Sequence, residues 1–122
     1  MPYDLHVVRT SNWLEALMNP IMREEVDRLI QSDRELEWSS SDYVEMKQEG
    51  GIIRFYMIAW KGSSCFLWHE DQITCATPDD EQVEKLIGIA RKLEANVVGD
   101  DGERYTFSRS LFGKRKIKIV PP

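Results

Sequence analysis

Histidine and cysteine are scarce in this chain, two of each, and the scarcity removes several kinds of chemistry at the outset. A closed zinc site needs four soft ligands, which Cys65 and Cys75, with no companion pair, do not supply. Both are expected to be reduced thiols acting as small apolar strand residues. No glycine-rich phosphate loop and no Gly-x-Ser-x-Gly elbow occurs, and no repeat or low-complexity tract is present. No apolar run approaches the ~18 residues of a membrane span. The opening Met1-Pro2-Tyr3-Asp4-Leu5-His6 lacks the basic region and apolar stretch of a secretory signal. The expected location is the cytoplasm, without membrane association. No catalytic residue, metal ligand or cofactor is assigned.

What is present is enough oily surface to fold. Over 122 residues, 42% of side chains are apolar and 30% charged, which suits one domain and excludes disorder. The net charge of −5 is unevenly spread. Residues 1–108 hold all 21 acids and 11 of the 16 bases. Residues 109–122 carry Arg109, Lys114, Arg115, Lys116 and Lys118 and no acid. The expected division is therefore a single acidic α+β domain over 1–108 and a basic C-terminal tail, 109–122, docked on it. An acidic body repels nucleic acid and favours basic partners.

Alternation of Tyr3, Leu5 and Val7 with Asp4, His6 and Val8 predicts a half-buried first strand. Asn12 and Glu15 have capping-box spacing, but Asn19-Pro20 limits Trp13 to Met18 to a short helix. Met22, Val26, Leu29 and Ile30 share one helical face up to Gln31. Short strands are expected around Leu36 to Trp38 and Tyr43 to Met46, separated by a turn at Ser39-Ser40-Ser41-Asp42. The run Ile52 to Trp60 reads as a central strand covered on both faces. Turns at Lys61-Gly62 and His69 to Gln72 make a meander with Cys65 to Trp68 and Ile73 to Ala76. Thr77 reads as a cap and Pro78 as the first position of a helix whose stripe is Val83, Leu86, Ile87, Ala90 and Leu93. A strand at Asn96 to Val98 leads to the turn Gly99 to Gly102, and Lys116 to Val120 alternates like an edge strand. The expected architecture is α+β: an antiparallel sheet of five or six strands with two main helices on one face.

Candidate chemistry is thin. Asp100, Asp101 and Glu103 are the densest carboxylates, but their spacing does not match a calcium loop, and an acidic turn is the plainer reading. His69-Glu70-Asp71 places an imidazole beside carboxylates, yet adjacent strand residues point to opposite faces. His6, with no second histidine at ligand spacing, is expected to be a surface or hydrogen-bonded residue. Among the four tryptophans, Trp60 and Trp68 stand at strand ends and are the expected half-exposed anchors of a binding surface.

The opening Tyr3-Asp4-Leu5-His6, the Asn19-Pro20-Ile21 to Glu24-Glu25 segment, the Thr77-Pro78-Asp79-Asp80-Glu81 helix start and the ending Gly99-Asp100-Asp101-Gly102-Glu103-Arg104-Tyr105 resemble a family of small uncharacterised bacterial proteins. The likeness spans residues 3–105; the basic tail departs from it, and Met22 stands where that family often has a capping hydroxyl. In size, acidity and layout the chain is similar to bacterial toxin-immunity proteins. That resemblance implies non-catalytic, stoichiometric neutralisation of a basic toxin. Its expected contacts are Trp60, Trp68, Glu70, Asp71, Asp100, Asp101 and Glu103. Two alternatives stay open: a small metal-dependent hydrolase using Asp100, Asp101 or Glu103, and nucleic-acid association through Lys114, Arg115, Lys116 and Lys118. A homodimer also stays open.

Overall fold

The computed structural model describes residues 3–39, 44–48, 50–109 and 115–122. Its centre is the first strand. β1 (Asp4–Val8) lies between β6 (Gln72–Ala76) and β7 (Asn96–Gly99), antiparallel to both, with Leu5 opposite Cys75 on one side and Gly99 on the other. The other strands are β2 (Leu36–Trp38), β3 (Val44–Gln48), β4 (Gly51–Trp60), β5 (Ser63–His69), β8 (Arg104–Arg109) and β9 (Arg115–Val120). The sheet is antiparallel throughout, eight strands in the order β2-β4-β5-β6-β1-β7-β8-β9, and β3 pairs with the first half of β4 beside that path. The α+β class is as expected, but the sheet is larger than five or six strands. The C-terminal hairpin β8–β9 is part of this sheet, with Arg104 opposite Val120 and Arg109 opposite Arg115, so Lys116 to Val120 forms the edge strand that its alternation suggested.

A second departure concerns β4. Nearly continuous apolar character suggested a strand covered on both faces, yet Arg54 is exposed and Phe55, Tyr56 and Met57 are half-buried. β1, by contrast, is covered on both faces by helices. Leu5, Val7 and Val8 are at most 1% exposed.

Two α-helices share one face. α1 (Arg23–Ser32) inserts Val26 and Leu29, and α2 (Asp80–Lys92) inserts Val83, Leu86, Ile87, Ile89 and Ala90, into a core with Leu5, Val7, Phe66, Ile73 and Val97. Met22 offers no side-chain cap to α1; the Glu25 carboxylate instead accepts from the Met22 N–H at 2.9 Å. The start of α2 is two residues later than Thr77-Pro78 suggested. Asp79 is the cap: its carboxylate accepts from the Gln82 N–H at 2.8 Å, and the Gln82 side chain accepts from the Asp79 N–H at 3.0 Å. That reciprocal pair satisfies two helix-end donors, whereas Thr77 sits at φ 45 and is unavailable for the role.

The opposite face carries a third, short helix of 3-10 type, Trp13–Met18, capped by Asn12, whose side chain accepts from the Leu14 N–H. It buries only Ala16, which packs with Val8 and Val98. Arg9 links the layers. Its guanidinium donates to both Glu25 oxygens (2.6 and 3.0 Å), to the Pro20 carbonyl at 3.1 Å and to the Leu93 carbonyl, thereby joining the end of β1 to both α-helices. Arg9 holds the Glu25 carboxyl below its ordinary range, against the opposing effect of burial. No helix among the described residues is long and apolar enough to cross a membrane.

Candidate functional site

The face carrying the 3-10 helix holds a connected polar group built around His6. Strand alternation turns Asp4, His6 and Val8 away from the α-helices, and His6 is 4% exposed. Its Nδ1 lies 2.7 Å from Gln72 Oε1 and its Nε2 lies 2.8 Å from Asp100 Oδ1. The Trp13 ring stacks on the imidazole, centroids 4.3 Å apart and planes 4° from parallel. The indole N–H of Trp13 donates to the Asp100 carbonyl at 3.1 Å. Asp100 Oδ2 accepts from the Asp4 N–H at 3.0 Å. Burial works to raise the Asp100 carboxyl, but the Asp4 amide and His6 outweigh it and hold it below its usual value. With both imidazole nitrogens engaged, His6 offers no free lone pair to a substrate. The group fastens the 3-10 helix to the sheet.

The turn after β7 is fixed by its glycines. The Gly99 N–H donates to the Glu103 carbonyl at 2.8 Å and the Gly102 N–H to the Gly99 carbonyl at 3.0 Å. Gly102 has φ +88, which favours glycine. A Cβ at Gly99 would collide with the Glu103 carboxylate and the Tyr3 hydroxyl. Between this turn and the 3-10 helix opens a cleft of about 720 Å³, bordered among others by Trp13, Leu14, Asn96, Asp101 and Arg104.

Fastening the 3-10 helix by Ala16, Asn12 and Trp13 leaves its other side chains facing outward. Leu14 is 72% exposed, Leu17 66% and Met18 81%, and Met22, just beyond Pro20, is 49% exposed. A run of large apolar residues this open is uncommon on a monomer surface and marks contact sites. Glu15, Glu24 and Asp101, all exposed, lie along or beside this segment.

The residues expected to form the binding surface do not assemble into one. Asp100 is committed to His6 and Asp4. Asp101, its neighbour, is exposed. Glu103 is half-buried and accepts from the Tyr105 hydroxyl at 3.2 Å, while burial and this carboxylate push the Tyr105 phenol up. Asp71 is corrected from surface contact to buried residue: it is 7% exposed, and its carboxylate accepts from Gln72 Nε2 at 3.0 Å. Glu70 stays at the exposed hairpin tip. That tip lies beyond the Val7 end of β1, opposite the end where Asp100 sits, as the register places Ile73 against Val7 and Gly99 against Leu5.

His69, Glu70 and Asp71 do not converge either. His69 Nε2 is 3.8 Å from Glu70, and its buried Nδ1 has no partner among the described residues. His6 is buried, not at the surface, and hydrogen-bonded as the other half of that reading had it. Among the described residues no three of His, Cys, Asp and Glu gather closely enough to hold a metal ion.

Trp60 and Trp68 are half-buried, and both face the α-helices rather than the 3-10 helix. The Trp68 N–H donates to the Ile21 carbonyl at 2.8 Å, so this ring is tied into the core edge. The Trp60 N–H reaches Glu35 at 3.4 Å, and the ring borders a shallow groove with Glu81, Glu84 and Phe107. Lys116 and Lys118 are exposed on β9; Lys114 lies outside the described residues. Burial pushes the Cys75 thiol up to about 12 and also raises Cys65, and both are free.

The sequence did not single out Leu14, Leu17 and Met18. Their spacing around Ala16 carries the signal, since one small residue among large ones at helical period marks the side that approaches a neighbour. It was masked by the expectation that tryptophans would be the anchors. Comparison of the chain with protein-family models, with curated proteins and with solved structures found no match.

Proposed function

We propose that this chain is a non-catalytic protein-binding domain that docks one partner per molecule on its 3-10 helix, neutralisation of a basic bacterial toxin being the form of binding that its acidity and general layout favour. The observation that carries the reading is the exposed row Leu14, Leu17, Met18 and Met22 on a segment held rigid by Asn12, Ala16 and Trp13. A side chain of this size gains about 1.5–3 kcal/mol when fully removed from water. Four of them on a pre-ordered support supply a desolvated anchor at little ordering cost. Exposed Glu15, Glu24 and Asp101 give the rim a charge that steers basic surfaces. The anchors in this reading are aliphatic and not Trp60 and Trp68, and Asp101 replaces Asp71 and Asp100 as the available carboxylate.

The test is co-expression with the product of the neighbouring gene, followed by titration calorimetry of the purified pair. One-to-one binding that falls by at least about 100-fold in a Leu14→Ser/Leu17→Ser/Met18→Ser variant supports the reading. Undiminished affinity in that variant, with its fold verified by circular dichroism, sinks it.

A further inference from the structure

The opposite edge of the molecule has a different character, and it does not depend on the 3-10 helix. β9 is the last strand of the sheet, and no described strand lies along its outer side. Alternate N–H and C=O groups of such a strand point outward and are a template for another strand. Lys116 and Lys118 project from the same face of β9, opposite the uncharged Ser108 and Thr106 of β8. Both are exposed, and no described carboxylate forms an ion pair with either. On the other face of the strand Ile119 is 56% exposed.

We infer that the outer edge of β9 is a docking site for an extended acidic segment of another protein, which adds to the sheet as a further strand. Backbone pairing along the edge supplies the register, carboxylates at alternate positions meet Lys116 and Lys118, and an apolar residue next to the one that meets Lys118, on the other face, covers Ile119. Charge selects this occupant over a second copy: two β9 strands paired antiparallel bring lysines against lysines, which is unfavourable across strands. It also selects against nucleic acid, because the aromatic residues of β8, Tyr105 and Phe107, pack towards the α-helices and offer no base a stacking surface on the lysine face.

The experiment uses the full chain and a fluorescein-labelled, end-capped hexapeptide of alternating Glu and Val, followed by anisotropy at low salt. Binding is expected together with slowed hydrogen exchange of β9 amides. The Lys116→Ser/Lys118→Ser variant is expected to bind about fivefold more weakly. A peptide with Pro at its third position is expected to lose at least about tenfold, since it cannot complete the ladder. Ile119→Ser serves as a second variant that leaves the lysines in place and weakens binding about threefold. Equal binding of the Pro peptide leaves only charge attraction and overturns the inference. So does tighter binding of a 20-nucleotide thymidine strand than of the peptide, and so does a lysine variant that dimerises while neither protein binds peptide, which makes the lysines guards against self-pairing only.

Discussion

Asp100 and Asp101 are adjacent and chemically identical, yet their removal should have very different consequences. Asp100→Ala deletes the acceptor of the Asp4 N–H at 3.0 Å and of His6 Nε2 at 2.8 Å, and leaves a 4% exposed imidazole facing a void. Hydrogen bonds to a charged group contribute about 1.5–3 kcal/mol each. The Asp100 side chain is itself 33% exposed, which places the pair near the lower bound, at about 3 kcal/mol together. For a domain of this size that corresponds to a fall in Tm of about 12 °C. Asp101→Ala removes an exposed carboxylate and should stay within about 0.5 kcal/mol.

Urea unfolding followed by tryptophan fluorescence separates the two, with the slope against urea unchanged if both variants unfold from a native-like state. The pH dependence adds a signed check. The folded Asp100 carboxyl is held below its ordinary 3.8, so its contribution is complete above that value and is lost as pH falls through the folded pKa. The gap between wild type and Asp100→Ala should be full at pH 6 and shrink steadily as the pH is lowered below 3.8. Equal midpoints for the two alanine variants, or a gap indifferent to acid, would refute the claim that His6 and Asp100 fasten this face.

Other expectations follow from the same contacts. Arg9→Lys keeps the charge but cannot reach Glu25, Pro20 and Leu93 at once, and should cost about 2–3 kcal/mol in urea unfolding. The Leu14→Ser/Leu17→Ser/Met18→Ser variant should unfold within about 1 kcal/mol of wild type, because these side chains are already in water. In a thiol-reagent assay at pH 8 Cys75 should stay unreacted in the native protein and react once urea unfolds it, as befits a buried thiol pushed up to about 12. Lys85 bonds Asp33 and Glu35, which raise its ammonium above the usual value against the opposing pull of burial. Its contribution is full below pH 10.5 and lost above the raised value, so Lys85→Met should narrow its stability deficit at strongly alkaline pH.

Local pattern carried much of this architecture and little of its site. Period-two alternation located β1, and the apolar stripes of α1 and α2 located the faces that meet the core, because each of those signals is complete within a dozen residues. β8 was harder to read: Tyr105 and Phe107 alternate over too short a span to separate a strand from a loop before the pairing with β9 is known. The coverage of β4 does not follow from its apolar run, since such a run records composition and not what packs on the two faces of a strand. The polar group at His6 was beyond local reading for a plainer reason. Its partners Gln72 and Asp100 lie 66 and 94 positions along the chain, and only the insertion of β1 between β6 and β7 brings them within bonding distance.

That insertion also governs how the molecule can be made. β1 is synthesised well before either of its neighbours, because Leu5 needs Cys75 on one flank and Gly99 on the other. Until translation has passed both, an apolar stretch waits with its amides unanswered, and closing such distant pairings is intrinsically slow. β1 is therefore a keystone that cannot be set until β7 has been made, and a polypeptide cut short before residue 96 leaves its slot half built.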